Sequence, residues 1–289
     1  MGWVVDADRV VPLPAYGIVS ALIEEDDFAS IRRAVDVLAG AKGLQRSALK
    51  LLAPIEAGRI VCVGLNYADH VAEGGRPAPE RPILFAKFDN AIVADGEPIV
   101  RPEGTHALDL EVELGVVIGR RARRVKAADA MDHVAGYIVV NDVSARDWQG
   151  IPAALKEGEK GDGQWLRAKG SDTFLPVGPI FVTKDEVDPK AGVRLRSWRI
   201  TADGQEHLMQ DGTTADMIRD VPTLIEFITA AITLEAGDVI ATGTPSGVGV
   251  FRDPPVFLEP GDRVRCEIEG IGTVENPIID WTDLEEARG

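Results

Sequence analysis

Residues 109–115 read Asp-Leu-Glu-Val-Glu-Leu-Gly, acids alternating with apolar residues. Alternate side chains on a β-strand share a face, so the spacing predicts a strand with Asp109, Glu111 and Glu113 along one side. Like charges so placed repel. One reading is a solvated strand face, where most glutamates lie. The other is a buried face, because the same side continues into Gly115 and Val117. The buried reading makes this a sheet-built domain and requires something to offset the repulsion.

Strand texture extends in both directions from there. RIVCVGLN (59–66), GYIVVND (136–142), LPVGPIFVT (175–183), VRLRSWRITADG (193–204), DVIATGTPSG (238–247) and DRVRCEIEGIGTVENPI (262–278) are apolar or alternating runs bounded by turn residues. KAADAMDHV (126–134) reads as a helix. Pro222 opens a second, with Leu224, Ile225, Ile228 and Ile232 on one face. LEAGDVI (234–240) and LEPGDRV (258–264) read as one tight turn used twice. Residues 1–55 have another texture: short apolar pieces, then a helix capped by Asp26 or Asp27, carrying Phe28, Ile31, Val35 and Leu38 and ended by Gly40 and Gly43. The expected organisation is a small N-terminal α+β domain (1–55), a catalytic domain (56–282) and an acidic tail (283–289). No regular βαβ alternation appears, so the class is α+β with mixed sheets.

Composition narrows the function. Among 289 residues acids outnumber bases 47 to 31, a net charge of −16, which argues against nucleic acid and anionic membrane surfaces as partners. No run reaches the roughly 18 apolar residues of a membrane span, and the N-terminus does not read as a signal peptide. Cys62 and Cys266 lie in apolar runs and are expected as free thiols in a cytoplasmic protein.

A divalent cation would offset the repulsion of the strand acids. Glu111 and Glu113, with Asp142 at the tip of the apolar run GYIVVND, give three oxygen ligands. All-oxygen ligation favours Mg²⁺ or Mn²⁺, with Ca²⁺ also admitted. Four residues beyond Asp142, Arg146 and then Gln149 would hold a substrate carboxylate or carbonyl; an Asp–Arg pair capping a turn is the alternative. In NYADHVAE (66–73), His70 and Glu73 have the spacing of helical neighbours. They read either as an oriented base or as an exposed ion pair. GGRPAPERP (74–82) is a lid or hinge, or a plain surface loop. ATGTPSGVG (241–249) lacks a P-loop lysine, yet its amides and Thr244 would suit a carboxylate.

GLNYADHVAE, FAKF, LDLEVELGVVIG, GYIVVNDVSARDWQ, QWLRAKGSDTFLPVGP, DMI and ATGTPSGVG occur in this order over roughly residues 60–280. Together they resemble the fumarylacetoacetate hydrolase family. The resemblance implies a mixed β-sandwich roll behind a small N-terminal domain, homodimers, and Mg²⁺ or Mn²⁺ on Glu111, Glu113 and Asp142. It implies catalytic roles for His70, Glu73 and Lys169 and pocket roles for Lys87, Arg146, Gln149 and Thr244. Asp109 matches an acid of the family with no ligand role assigned. One departure stands out: many members read GKSxD where this chain has Ala168-Lys169-Gly170-Ser171-Asp172.

The activity so implied is C–C hydrolysis of a 1,3-diketo acid of acylpyruvate, fumarylpyruvate or 2,4-diketo-3-deoxy sugar acid type, through an enolate stabilised by the cation and Lys169. His70, oriented by Glu73, would activate the water. The alternative is isomerisation or decarboxylation of 2-hydroxy-dienoate or oxaloacetate-like 2-keto acids. A metal-binding scaffold without catalysis is a third class, disfavoured because the expected acid–base pair and ligands are all present.

Overall fold

The computed structural model describes residues 1–6, 8–13, 19–25, 28–38, 40–75 and 77–283. The proposed capping residues Asp26 and Asp27, Arg76 of the Pro- and Gly-rich segment, and residues 284–289 of the expected tail lie outside them.

Two sheets build the main body. One is six-stranded, in the order Val182–Thr183, Val134–Asn141, Val112–Ile118, Val239–Ala241, Ile60–Gly64, Ile83–Lys87. Its pairs are antiparallel except Val239–Ala241 with Ile60–Gly64. Every residue of Val112–Ile118 and of Val134–Asn141 is buried, which is why both read as apolar runs with acids only at one end. The second sheet has five strands, in the order Glu206–Thr213, Arg194–Ile200, Arg263–Ile268, Gly272–Asp280, Ile99–Arg101. Leu114 and Val116 from the first sheet share one core with Leu195, Val264, Cys266 and Val274 from the second. This is the expected mixed α+β roll.

The opening strand is broken. Leu108–Asp109 pairs with Ser144–Ala145, and the long strand begins only at Val112. Asp109 therefore leaves the line of Glu111 and Glu113. KAADAMDHV forms a 3-10 helix, Ala127–His133, rather than an α-helix. The helix opened by Pro222 spans Val221–Thr229, with Asp220 accepting from the Thr223 amide as cap. Leu224, Ile225 and Ile228 are buried, but Ile232 falls beyond the helix end and is exposed. The twice-used turn is present: Glu235 N donates to Asp238 and Glu259 N to Asp262, at 2.8 and 2.9 Å. Gly237 and Gly261 take positive φ, 86° and 94°, conformations that glycine adopts without penalty.

Near the N-terminus, Gly2–Val4, Arg9–Pro12 and Leu44–Gln45 form a three-stranded antiparallel sheet. Helix Phe28–Val37 has no fully buried residue, but Phe28 stacks on Phe181 at 6.0 Å between ring centroids. Ile23 joins the core on the outer face of the six-stranded sheet with Ile60, Cys62 and Val239. The N-terminal unit thus packs on the sheet that carries the acids. Both cysteines are buried free thiols, and burial pushes both pKa values up.

Candidate active site

Glu111, Glu113 and Asp142 come together as the spacing predicted. Each offers an oxygen within 4.8 Å of the others, and all three residues are buried. The strand Val134–Asn141 brings Asp142 there: Asn141 pairs with Val112, and the Asp142 amide donates to Glu111 O at 2.9 Å. Asn141 Oδ1 in turn accepts from the Glu111 amide.

The cluster has its own cations. Lys169 Nζ donates to Glu111 Oε2 at 2.6 Å and to Asp142 Oδ2 at 2.9 Å. The Arg146 guanidinium gives Nη2 to Glu111 Oε1 (2.7 Å), Nε to Asp109 Oδ2 (2.9 Å) and Nη1 to Gln149 Oε1 (3.1 Å). Burial opposes the charge of Lys169, but Asp142 and Glu111 outweigh it and hold the ammonium above its ordinary pKa. Burial likewise opposes the Glu111 carboxylate, and Lys169 and Arg146 hold its pKa well below the usual range. Among the described residues Glu113 accepts a side-chain hydrogen bond from the Gly243 amide alone, at 2.9 Å. Burial, then the charges of Asp142 and Glu111, push its carboxyl well above the ordinary value.

Glu113 therefore carries the unrelieved repulsion, and Asp142 Oδ1 has the Lys87 ammonium at 2.8 Å without hydrogen-bond geometry. A hard divalent cation fits a donor set of three carboxylates with these unmet demands.

The His70–Glu73 pair also forms. His70 and Glu73 lie on the short helix Ala68–Glu73, with His70 Nδ1 2.6 Å from Glu73 Oε1. Glu73 Oε2 accepts from the Gly247 amide and Asp69 Oδ2 from Ser246 N and Oγ, so the helix is tied to the turn after Val239–Ala241. His70 is buried and rests on Phe251. The exposed-pair alternative does not hold for His70.

Other expected residues are placed differently. Lys87, expected to face the substrate, is fully enclosed: it pairs its charge with Asp142 and donates its protons to the carbonyls of Val143, Lys169 and Phe174. An ammonium has three protons, and this one has no solvent-facing surface. Arg146 pairs with Asp109 and Glu111, not with Asp142, because the helix starts at Arg146 itself. Thr244 Oγ1 donates to Val112 O and accepts from Gln210 Nε2, which commits its only proton to the backbone. Gly170 caps the helix Trp165–Lys169, and a Cβ there would lie 2.8 Å from Leu166 O. This accounts locally for the departure from Ser.

Sequence reading passed over three supports. Gln210, from the second sheet, accepts from Val112 N and donates to Thr244 and Pro245. Asn66 bonds Thr242 O, and Arg219 through both N and O. Asp69 is described above. Asn66 and Asp69 precede His70 by four residues and one, but a polar side chain carries no signal of a partner distant in the chain. Gln210 sits in a strand distant in sequence.

A buried acid cluster with its own lysine and arginine, and a His–Glu pair on a short helix bonded to the same turn at 243–247, form a candidate site in a two-sheet roll. The family profile described as fumarylacetoacetate (FAA) hydrolase C-terminal matches residues 59–279. The chain belongs to the fumarylacetoacetate hydrolase family. It is 46% identical, over 82% of its length and 70% of the relative's, to a Xenopus laevis protein named mitochondrial oxaloacetate tautomerase fahd2. It resembles the structure of 2-hydroxyhepta-2,4-diene-1,7-dioate isomerase from Mycobacterium marinum, with TM-score 0.68 and 41% identity over 83% of this chain and 82% of that one. It also resembles that of fumarylacetoacetate hydrolase from Exiguobacterium antarcticum, with TM-score 0.77 and 36% identity over 94% and 91%.

Proposed function

We propose that this chain interconverts the keto and enol forms of an oxaloacetate-like 2-keto dicarboxylic acid, with Mg²⁺ or Mn²⁺ held by Glu111, Glu113 and Asp142. The carrying observation is the buried Glu111–Glu113–Asp142 cluster and the His70–Glu73 pair, both hydrogen-bonded to the turn at 243–247, in a chain whose curated relatives include named oxaloacetate tautomerases. C–C hydrolysis, placed first on sequence, becomes the second reading. It keeps support from the likeness to the Exiguobacterium hydrolase, and because an oriented imidazole also activates water.

Tautomerisation needs one proton removed from carbon and one delivered to oxygen. Glu73 holds His70 through Nδ1, which leaves Nε2 to take the proton from carbon and deliver it to the oxygen, and to run the same transfer in reverse. A cation bound by the three carboxylates would supply Lewis acidity at the keto oxygen. Lys169, charged and beside Glu111 and Asp142, adds stabilisation where negative charge collects. Closure of the His70 helix excludes bulk water. Arg146 acts here by holding Glu111, Gln149 by holding Arg146, and Lys87 by pairing with Asp142.

The reading extends to organisation. Residues 1–55 form an accessory unit to a catalytic domain at 56–282, and the chain works as a homodimer. Two buried free thiols fit a reducing compartment such as the cytoplasm. Among the described residues no helix is long and apolar enough to cross a membrane.

The test is purified protein with Mg²⁺ or Mn²⁺ and oxaloacetate, acetylpyruvate, fumarylpyruvate and a 2-hydroxydienoate. Enol absorbance and proton NMR follow the products. Faster enol–keto exchange of oxaloacetate without bond cleavage is expected. Pyruvate plus a carboxylic acid from an acylpyruvate, with oxaloacetate exchange at its background rate, would replace tautomerisation by hydrolysis.

A further inference from the structure

Asp109 opens the acidic alternation yet stands apart from the three clustered carboxylates. Its side chain is buried, and both oxygens are fully used. Oδ1 accepts from the amides of Leu110 (2.9 Å) and Gly249 (2.8 Å). Oδ2 accepts from the Val250 amide (3.1 Å) and from Arg146 Nε (2.9 Å). Four donors on one carboxylate leave no lone pair directed elsewhere.

Those donors belong to two different parts of the site. On one side is Arg146, whose Nη2 holds Glu111 Oε1. On the other is the 3-10 turn Gly249–Phe251, whose last residue packs its ring 5.9 Å from the His70 imidazole. A Cβ placed on Gly74, at the helix end, would meet the Phe251 ring at 3.5 Å. The turn fits closely: a Cβ on Gly249 would come within 2.7 Å of Asp109 Oδ1 and 1.9 Å of Val256 O.

We infer that Asp109 is a positioning residue that locks the Arg146 fork and the Phe251 turn to each other, so that the orientation of Glu111 and the seat of His70 are set together. The inference rests on the reading of Glu111 as a cation ligand and of His70 as the base. A carboxylate is required for this role, because an amide in its place would turn an NH₂ group toward two N–H donors.

Asp109→Asn tests it, with Mn²⁺ titrated by calorimetry and amide exchange followed by mass spectrometry. Affinity for Mn²⁺ is expected to fall 10- to 100-fold although no ligand is touched, with faster exchange across 247–251. Ile268→Val, a core truncation in the second sheet, is the stability control and should keep wild-type Mn²⁺ affinity. Wild-type affinity and exchange in Asp109→Asn would overturn the inference. If that variant does not fold, the wild-type chain decides: Mn²⁺ should slow exchange across 247–251, and unchanged exchange sinks the coupling. Should the wild-type chain bind no Mn²⁺, the metal reading of Glu111 fails. The link between Asp109 and the Phe251 turn would then stand or fall on exchange in Asp109→Asn alone.

Discussion

Glu111, Glu113 and Asp142 sit where two fully buried strands of the six-stranded sheet end, whereas His70 and Glu73 sit on a six-residue helix ahead of a Pro- and Gly-rich segment. The acids are fixed by strand pairing, by Asn141 and by three buried cations. The helix is fixed by a few hydrogen bonds from Glu73, Asp69 and Asn66 to the turn at 242–247 and to Arg219. Free energy of local opening scales with such contacts. The acid half should behave as part of the global fold, and the His70 half as a segment that can open to admit substrate.

Removing Glu111 should separate the halves most sharply. Glu111→Ala is expected to abolish Mn²⁺ binding in calorimetry and to cost about 3–5 kcal/mol in urea unfolding, because Lys169 and Arg146 lose a buried partner. Unchanged Mn²⁺ binding would remove the metal site. His70→Ala should lower turnover by about 10²- to 10⁴-fold while Mn²⁺ affinity stays at the wild-type value. A variant that lost both equally would show the two halves to be one unit. Asp69→Ala removes the tether to Ser246 and should lower kcat/KM about tenfold, in line with loss of a charged hydrogen bond. Exchange should rise across 66–75 and stay constant in 112–118; a rise in both segments would contradict the division. The smallest effect concerns Cys62 and Cys266. Both thiols should resist a thiol reagent at pH 8 and react fully in guanidinium, and fast native labelling of Cys62 would mean the acid-bearing sheet opens.

The sequence was most legible where a side chain's role follows from its own strand. The run GYIVVND pointed to Asp142, which the fold brings beside Glu111 and Glu113, because an acid ending eight buried residues has few alternatives to a partner. The contacts of Lys87 and Arg146 were illegible for the opposite reason. Their positions follow from strands and turns distant in the chain, and no local pattern shows that Lys87 meets the carbonyls of Lys169 and Phe174. Asp109 was put on the face of Glu111 and Glu113 by a period of two that the chain interrupts at residues 110–111. Periodicity presumes an unbroken strand, and the break is what sends that carboxylate to the Gly249 turn.

Gln210 crosses from the five-stranded sheet to hold Val112 N, Thr244 Oγ1 and Pro245 O, and is itself held by Ser197. Heating should therefore find no intermediate in which one sheet has melted and the other still carries the acids. The calorimetric and van't Hoff enthalpies of the main body should agree. A lesion in the five-stranded sheet, far from any reacting atom, would then lower activity through the amount of folded enzyme and leave the chemistry of each surviving molecule intact.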